Sequence, residues 1–415
     1  MSRHIAIIGA GIVGVSCAIW LQRAGYNVTL IEREEAAGEA TSYGNGGILA
    51  ASAIVPVTQP GLLAKAPKML LSRNQPLFLK WPYLPRLTPW LLRFLRHANT
   101  HDTARIAGAL AAIVSTSLAD HQALAEGTGA ERWLIPSDYL YLYKDRHSFE
   151  RDAYTWALRR AHGFRWQELE GMDFRTFDPV FSPDLGFAAR MGDHGYISDP
   201  GAYVKALAAH VVARGGRLLH GEVSDIIREN GRVCGLRIGG KTLACDAVVL
   251  AAGVWAKRLA ESLGLKVPME SERGYHLELI EPSFMPRAPV MVSAGQFVMT
   301  PMEGRLRLAG IVEFGGIKAA PSRAPLEMLR RSLHATLPRL TWKGADSWMG
   351  HRPTLTDSLP MIGSAPGVGG AYMAFGHQHI GLTAGPKTGR LIAQLVAGQK
   401  TDISLSPFAP GRFSR

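Results

Sequence analysis

The sequence predicts an α/β protein with a Rossmann-like, dinucleotide-binding domain assembled from discontinuous segments. Beside it the sequence predicts an α+β substrate domain with a mostly antiparallel sheet. Three observations predict this. A strand, a glycine-rich turn and a helix stand at the N-terminus. A buried apolar run, Cys245 to Gly253, ends in small residues far downstream. A third strand, loop and helix close the chain between Ala371 and Val396. Between these pieces, alternating apolar segments read as strands of another sheet.

The first piece carries the most chemistry. Ile5 to Ile8 is short, apolar and rich in β-branched residues, as a buried parallel strand is. Gly9, Gly11 and Gly14 then give G-x-G-x-x-G. A helix follows from Ile12 to about Ala24 and Gly25 ends it. Val28 to Ile31 is a second strand, with Glu32 at its end. The glycines allow a tight turn and let the backbone approach a pyrophosphate. The free N–H groups of the helix start, Ile12 and Val13 among them, face that anion with a partial positive charge. An acid about 20 residues past the turn accepts the hydroxyls of a ribose. The full spacing points to an ADP-containing dinucleotide.

At 415 residues the chain has room for two domains. Its 47% hydrophobic and 19% charged residues are those of a globular protein. No run of about 18 apolar residues and no signal-peptide pattern is visible, so a cytoplasmic location is expected. Cys17, Cys234 and Cys245 have no metal-ligand spacing; they read as buried thiols in a reducing compartment, and no metal is expected. The formal charge of +12 suits an anionic substrate, a membrane surface or simply a solvated exterior. No RNA-binding module is visible, and nucleic acid is not expected.

Along the chain, Thr41-Ser-Tyr-Gly-Asn-Gly-Gly47 is a small polar loop whose backbone can lie close to a ligand. Residues 40 to 101 hold seven Lys or Arg and no acid. Aromatic residues and prolines interleave there, and Trp90 to Arg96 forms a short amphipathic helix. That mixture suits either an interfacial anchor at the inner face of a membrane or packing on the substrate domain. Helices are expected over 104–126, 148–162, 203–214, 325–337 and 384–396. Strands are expected over 139–143, 217–220, 222–227, 233–238, 241–243, 272–279, 296–300, 306–312 and 371–375, and 171–192 reads as loop-rich. The nucleotide domain is drawn at 1–60, 193–261 and 346–405. The substrate domain is drawn at 61–192 and 262–345, and 406–415 is a tail.

Three pieces resemble the D-amino-acid oxidase/glycine oxidase superfamily of FAD-dependent oxidoreductases. They are the N-terminal fingerprint ending in Glu32, the strand Asp246 to Gly253, and the block Arg352-Pro-Thr, Asp357, Leu359-Pro-Met-Ile-Gly363 and Gly376-His-Gln-His-Ile-Gly-Leu-Thr383. Within it, the Thr41–Gly47 loop and the last motif are most similar to bacterial D-amino-acid dehydrogenases, including the branch acting on D-proline and hydroxy-D-proline.

The resemblance implies that Gly9, Gly11, Gly14 and Glu32 hold the ADP half of FAD. It places Arg33, Thr41 and Ser42 along the pyrophosphate and ribityl chain, with Gly46 and Gly47 in the loop beside them. Val223 meets the adenine and Gly253 lines the cofactor. His379, Ile380, Gly381, Leu382 and Thr383 surround the flavin's O2/N1 edge, where a helix N-terminus stabilises the negative charge of reduction. Arg352 is implied as the substrate carboxylate clamp, since a guanidinium binds a carboxylate with two hydrogen bonds; a salt bridge to Asp357 is the alternative. Tyr275 is a second hydrogen-bond candidate or else a sheet tyrosine. His377 and His379 either line the site or cap the loop.

The implied reaction is oxidation of a D-amino acid by hydride transfer from Cα to flavin N5, giving an imine or keto acid. Glycine or sarcosine oxidation, or service as the FAD subunit of a multi-subunit amine dehydrogenase, are alternatives. No cysteine follows Cys245, so FAD is expected to be non-covalent. The expected partners are a small amino acid and an electron acceptor, either a quinone or a carrier protein. A peripheral membrane contact is a further expectation.

Overall fold

The computed structural model describes residues 3–62 and 77–414. Lys65, Lys68, Arg73 and Pro76 of the basic segment lie outside the described residues. The N-terminal strand His4–Ile8 sits inside a six-stranded sheet. Across that sheet the order is Met361–Ser364, Ala371–Phe375, Ala247–Leu250, His4–Ile8, Asn27–Glu32 and Arg217–His220. All neighbours are parallel except the first pair. Ile5, Ala6 and Ile7 are wholly buried, which matches their apolar run, because both faces of a parallel sheet are covered. Each buried Ile contributes about 1.5–3 kcal/mol through the area it removes from water.

The helix Ile12–Arg23 packs against the last long helix, Gly381–Val396. The crossing is close because Gly385 and Gly389 face it. A Cβ at Gly389 would stand 2.5 Å from the Ser16 carbonyl carbon. The helix Pro200–Ala213 starts where Pro200 predicts, with the Asp199 carboxylate accepting the N–H of Ala202.

The second large sheet has ten strands. Its main path runs Gly344–Leu355, Met269–Ile280, Arg305–Phe314, Phe297–Met302, Val290–Val292, Leu134–Tyr143, Phe187–Ile197 and Ile48–Leu49. It is antiparallel apart from two parallel pairings. A three-stranded antiparallel unit, Val223–Glu229, Arg232–Ile238 and Lys241–Ala244, stands apart.

Several expectations need correction. The strands Phe187–Ile197 and Gly344–Leu355 run straight across the domain boundaries drawn at 192/193 and 345/346. The loop-rich stretch 171–192 holds the helix Gly171–Phe177 and most of the strand from Phe187. Gly192 and Gly195 break the alternation that would have revealed that strand. The helix drawn over 104–126 is two helices, Thr100–Val114 and Ser117–Ala125. At the break, the hydroxyl of Ser115 bonds back to Ala111 O and that of Thr116 takes Asp120. The helix drawn over 148–162 is likewise Arg146–Glu150 and Ala153–Ala161.

The amphipathic helix is longer than drawn, Leu84–Leu95, and its apolar side is turned inward. Leu87, Trp90 and Phe94 are buried, with Trp90 and Phe94 stacked 4.7 Å apart and Phe314 against Trp90. Those rings are not available to a bilayer; Trp81 and Leu92 remain exposed. No helix among the described residues is long and apolar enough to cross a membrane. The tail is held in place, since Phe408 is buried and Arg412 Nε lies 2.7 Å from an Asp357 carboxylate oxygen.

Candidate active site

A cleft of about 870 Å³ opens where the two large sheets meet. Its floor is the carboxyl end of the N-terminal strand and the turn after it. Gly9 has φ +100°, and a Cβ there would stand 2.7 Å from Ala251 O. Gly14 lies so close beneath that a Cβ would overlap the Gly9 carbonyl. Those two positions therefore require glycine, the first for its conformation and the second for helix–strand contact. Gly9, Gly11, Ile12, Val13, Glu32, Arg33, Thr41, Ser42, Val223, Gly253, Gly381 and Leu382 all line the cleft. Gly14, Gly46, Gly47, Ile380 and Thr383 do not, and neither do Arg352, Tyr275 and His379, which stand beyond the lining residues Pro353 and Gln378.

The local bonds explain how these groups are held. Glu32 accepts from the backbone N–H of Ala10 at 2.7 Å and of Arg33 at 2.9 Å, which braces its carboxylate at the rim. The Ser42 hydroxyl accepts the N–H of Ile12 at 3.0 Å, so Ser42 occupies the helix start. The Arg33 guanidinium lies 3.8 Å over the ring of Trp255. Thr41 donates to His351 O. Gly46 O accepts from Thr300 Oγ1, and Gly47 O accepts from the N–H of Ile197, so these glycines fasten the loop to the second sheet. Thr383 donates to Ile48 O and Ile380 belongs to the core.

The cleft fits a flavin dinucleotide on two further observations. Gln378 lines it with φ +48°, and its side-chain nitrogen is a buried donor with no partner among the described residues. Backbone strain and an unmet donor at one residue call for a ligand oxygen. Gln378 was missed in the sequence because nothing in the composition of Gly-His-Gln-His marks it. Its fold-specific signal is the bond from its N–H to Pro353 O, 3.0 Å long.

At one end of the cleft stands the strand Gly344–Leu355, paired with Met269–Ile280. Arg352 is on the face of this pair that also carries Glu272, Gly274, His276, Trp348 and Gly350. The Arg352 guanidinium crosses over Gly274, where a Cβ would stand 2.6 Å from its central carbon. Among the described residues its one hydrogen bond is to Ile311 O at 3.3 Å. Burial lowers its pKa and the nearby Glu272 charge opposes that. Burial also raises the Glu272 carboxyl, against the Arg352 charge. The bridge to Asp357 does not form, because Asp357 is taken by Arg412. Arg352 thus keeps most of its five donors for a ligand.

Tyr275 is not beside it. The alternation of the strand puts Tyr275 on the opposite face, in the core with Leu277 and Leu279. Its hydroxyl donates to Glu313 at 2.7 Å and accepts the N–H of Ser322 at 2.9 Å. Glu313 in turn meets Arg273 at 2.8 Å, and Arg273 bonds Ala319 O and Ala320 O. This buried network holds the loop Gly315–Ala319, which lines the cleft.

The two loop histidines separate. His377 is buried, bonded to Thr388 Oγ1 at 3.0 Å, and burial drives its pKa down to about 3. His379 is exposed and does not line the cleft. Desolvation by neighbouring groups and the Arg352 charge lower its pKa to about 4, so it is neutral near pH 7.

The fold and cleft are those of a protein that binds a flavin dinucleotide. The family described as DAO: FAD dependent oxidoreductase matches residues 4–395, and the chain belongs to it. A D-amino-acid oxidase of Bradyrhizobium diazoefficiens is 37% identical over 99% of both chains. A D-amino acid dehydrogenase of Methylobacterium sp. (strain 4-46) is 30% identical, again over 99% of both. Among solved structures, the fold is similar to glycine oxidase from Geobacillus kaustophilus (TM-score 0.76, 23% identity, 99% of both chains). It is also similar to L-proline dehydrogenase from P. horikoshii (TM-score 0.74, 19% identity, 100% of this chain and 98% of that one). The protein is an FAD-dependent oxidoreductase.

Proposed function

We propose that the protein oxidises the Cα–N bond of a D-amino acid. The observation that carries this is Arg352: a half-buried guanidinium with a single acceptor among the described residues, close enough to His379 for its charge to act there. Such a group binds a carboxylate with two parallel bonds and fixes its orientation. The D configuration rests on the names of the relatives over the full chain.

Bound FAD supplies the two-electron oxidant. The residues of the chain do the positioning. Gly9 to Val13, with Glu32 and Ser42, take the ADP half, and Gln378, Gly381 and Leu382 take the flavin end. Arg352 holds the substrate carboxylate, and neutral His379 can accept a hydrogen bond from the amine without adding positive charge beside Arg352. Loss of the Cα hydrogen leaves an imine, which hydrolyses to a keto acid or persists as a cyclic imine when the substrate is D-proline or a hydroxy-D-proline. FAD is held without a thiol linkage. The six-stranded sheet serves the cofactor and the ten-stranded sheet serves the substrate. Tyr83 and Arg86 of the basic aromatic segment line the cofactor cleft, which accounts for part of that segment without a membrane.

The test is anaerobic bleaching of the bound flavin by D-amino acids, D-proline, glycine and sarcosine. Rapid bleaching by a D-amino acid supports this reading; bleaching only by glycine or sarcosine would move the activity to simple amines. Readmitting air then shows whether oxygen or another acceptor takes the electrons.

A further inference from the structure

We propose that Trp348 sets the size of the substrate side chain, a proposal that rests on Arg352 being the carboxylate clamp. Trp348, Gly350 and Arg352 are alternate residues of one strand and share a face. Across the ladder, Gly350 is opposite Gly274. Directly opposed residues of antiparallel strands have Cα atoms roughly 4.5–5.5 Å apart. The guanidinium fills the space above Gly274, and the six-membered ring of Trp348 fills the space above Gly350. Ring and guanidinium therefore lie side by side. A carboxylate held by Arg352 brings its Cα, and the side chain on it, against the indole.

The indole has little freedom to move aside. It stacks on His276 with centroids 5.3 Å apart at 25°, and Tyr43 meets it edge-on at 6.1 Å. Gly44 lies against it so closely that a Cβ there would overlap the ring. Gly44 is itself fixed, because its carbonyl is bonded to His276 Nδ1 at 3.1 Å. Arg307 also donates to the carbonyls of Tyr43 and Asn45 on either side. Burial and the Arg307 charge hold His276 near 4, so this imidazole is neutral at pH 7. The wall is thus built of three uncharged rings beside Arg352, and Arg307 is paired with Glu278 at 2.7 Å. It accepts compact side chains and disfavours long ones.

The experiment compares anaerobic flavin reduction by D-alanine and D-phenylalanine in the wild-type holoenzyme, Trp348→Ala and Trp348→Phe. The wild type should favour D-alanine. Trp348→Ala should raise the D-phenylalanine to D-alanine ratio of second-order reduction rates by about tenfold or more, the scale on which a pocket discriminates by size. Trp348→Phe should shift the ratio in the same direction by less, and it answers the question if the alanine variant loses its flavin. A ratio unchanged within twofold in a flavin-loaded variant overturns the role of Trp348 while leaving the D-amino-acid reading intact. A wild type reduced by no D-amino acid overturns both.

Discussion

Gly274 and Gly350 face each other across the strand pair Met269–Ile280 and Gly344–Leu355, and each is roofed by a side chain from the second strand. Arg352 covers one and Trp348 the other. A side chain on either glycine would displace the group above it. The two glycines thereby leave the space that the guanidinium and the indole fill.

Replacing Arg352 tests the clamp. Truncating one partner of a buried charge pair costs roughly 2–5 kcal/mol. Arg352→Met should therefore lower the second-order rate of flavin reduction by about 30- to several-thousand-fold. Arg352→Lys should fall between, since an ammonium cannot reproduce the two parallel bonds. Flavin content, read from the visible spectrum, should stay near the wild-type value in both.

Tyr275→Phe should separate structure from chemistry. The hydroxyl bonds Glu313 and Ser322 on the face away from Arg352. Its loss should reduce stability by about 1–3 kcal/mol, the cost of a hydrogen bond to a charged group. Flavin reduction by saturating substrate should change by less than about threefold. Thermal unfolding and stopped-flow reduction measure the two effects, and a large rate loss with an unchanged melting temperature would return Tyr275 to the site.

Gly14→Ala should damage cofactor binding without touching the cleft surface. The added methyl overlaps the Gly9 carbonyl, so the helix must move away from the strand. Overpacking of this kind costs roughly 1–3 kcal/mol. The expected result is a purified protein with a lower ratio of flavin to protein absorbance and a lower melting temperature.

The buried histidines give a pH prediction. His121 and His276 are held near 4 and His377 near 3, chiefly by burial, and all three are almost fully enclosed. Each has a folded pKa below its unfolded value, which for a base means that the unfolded chain binds protons first. Stability should therefore be fully present above about pH 6.5 and fall as pH drops toward 4, with these three residues alone taking up as many as about three protons on unfolding. Melting temperatures measured from pH 4 to 8 check the slope; a flat profile below pH 6.5 would contradict it.

The nucleotide half was legible because its signals are local. Gly9, Gly11, Gly14 and Glu32 stand within one βαβ unit, and spacing along the chain is spacing in space. The substrate half was less legible because its geometry comes from register. The motif singles out Arg352 as a candidate, but only the pairing Gly274–Gly350 shows what lies beside it. The same register moves Tyr275 to the far face, a matter of one residue's parity. Trp348, His276 and Tyr43 come from three distant segments and meet only in the folded chain. The aromatic stripe Trp90 to Arg96 reads as either anchor or packing, and Phe314, more than two hundred residues on, covers its inner side.

The most direct measurement is the rate of anaerobic flavin bleaching by matched D- and L-enantiomers of alanine and proline. At least one D-enantiomer should bleach the flavin at least a hundred times faster than its mirror image, at roughly 3 kcal/mol of discrimination, and Arg352→Met should lose that bleaching. Equal rates for both enantiomers, or bleaching that survives the loss of Arg352, would contradict the proposed function.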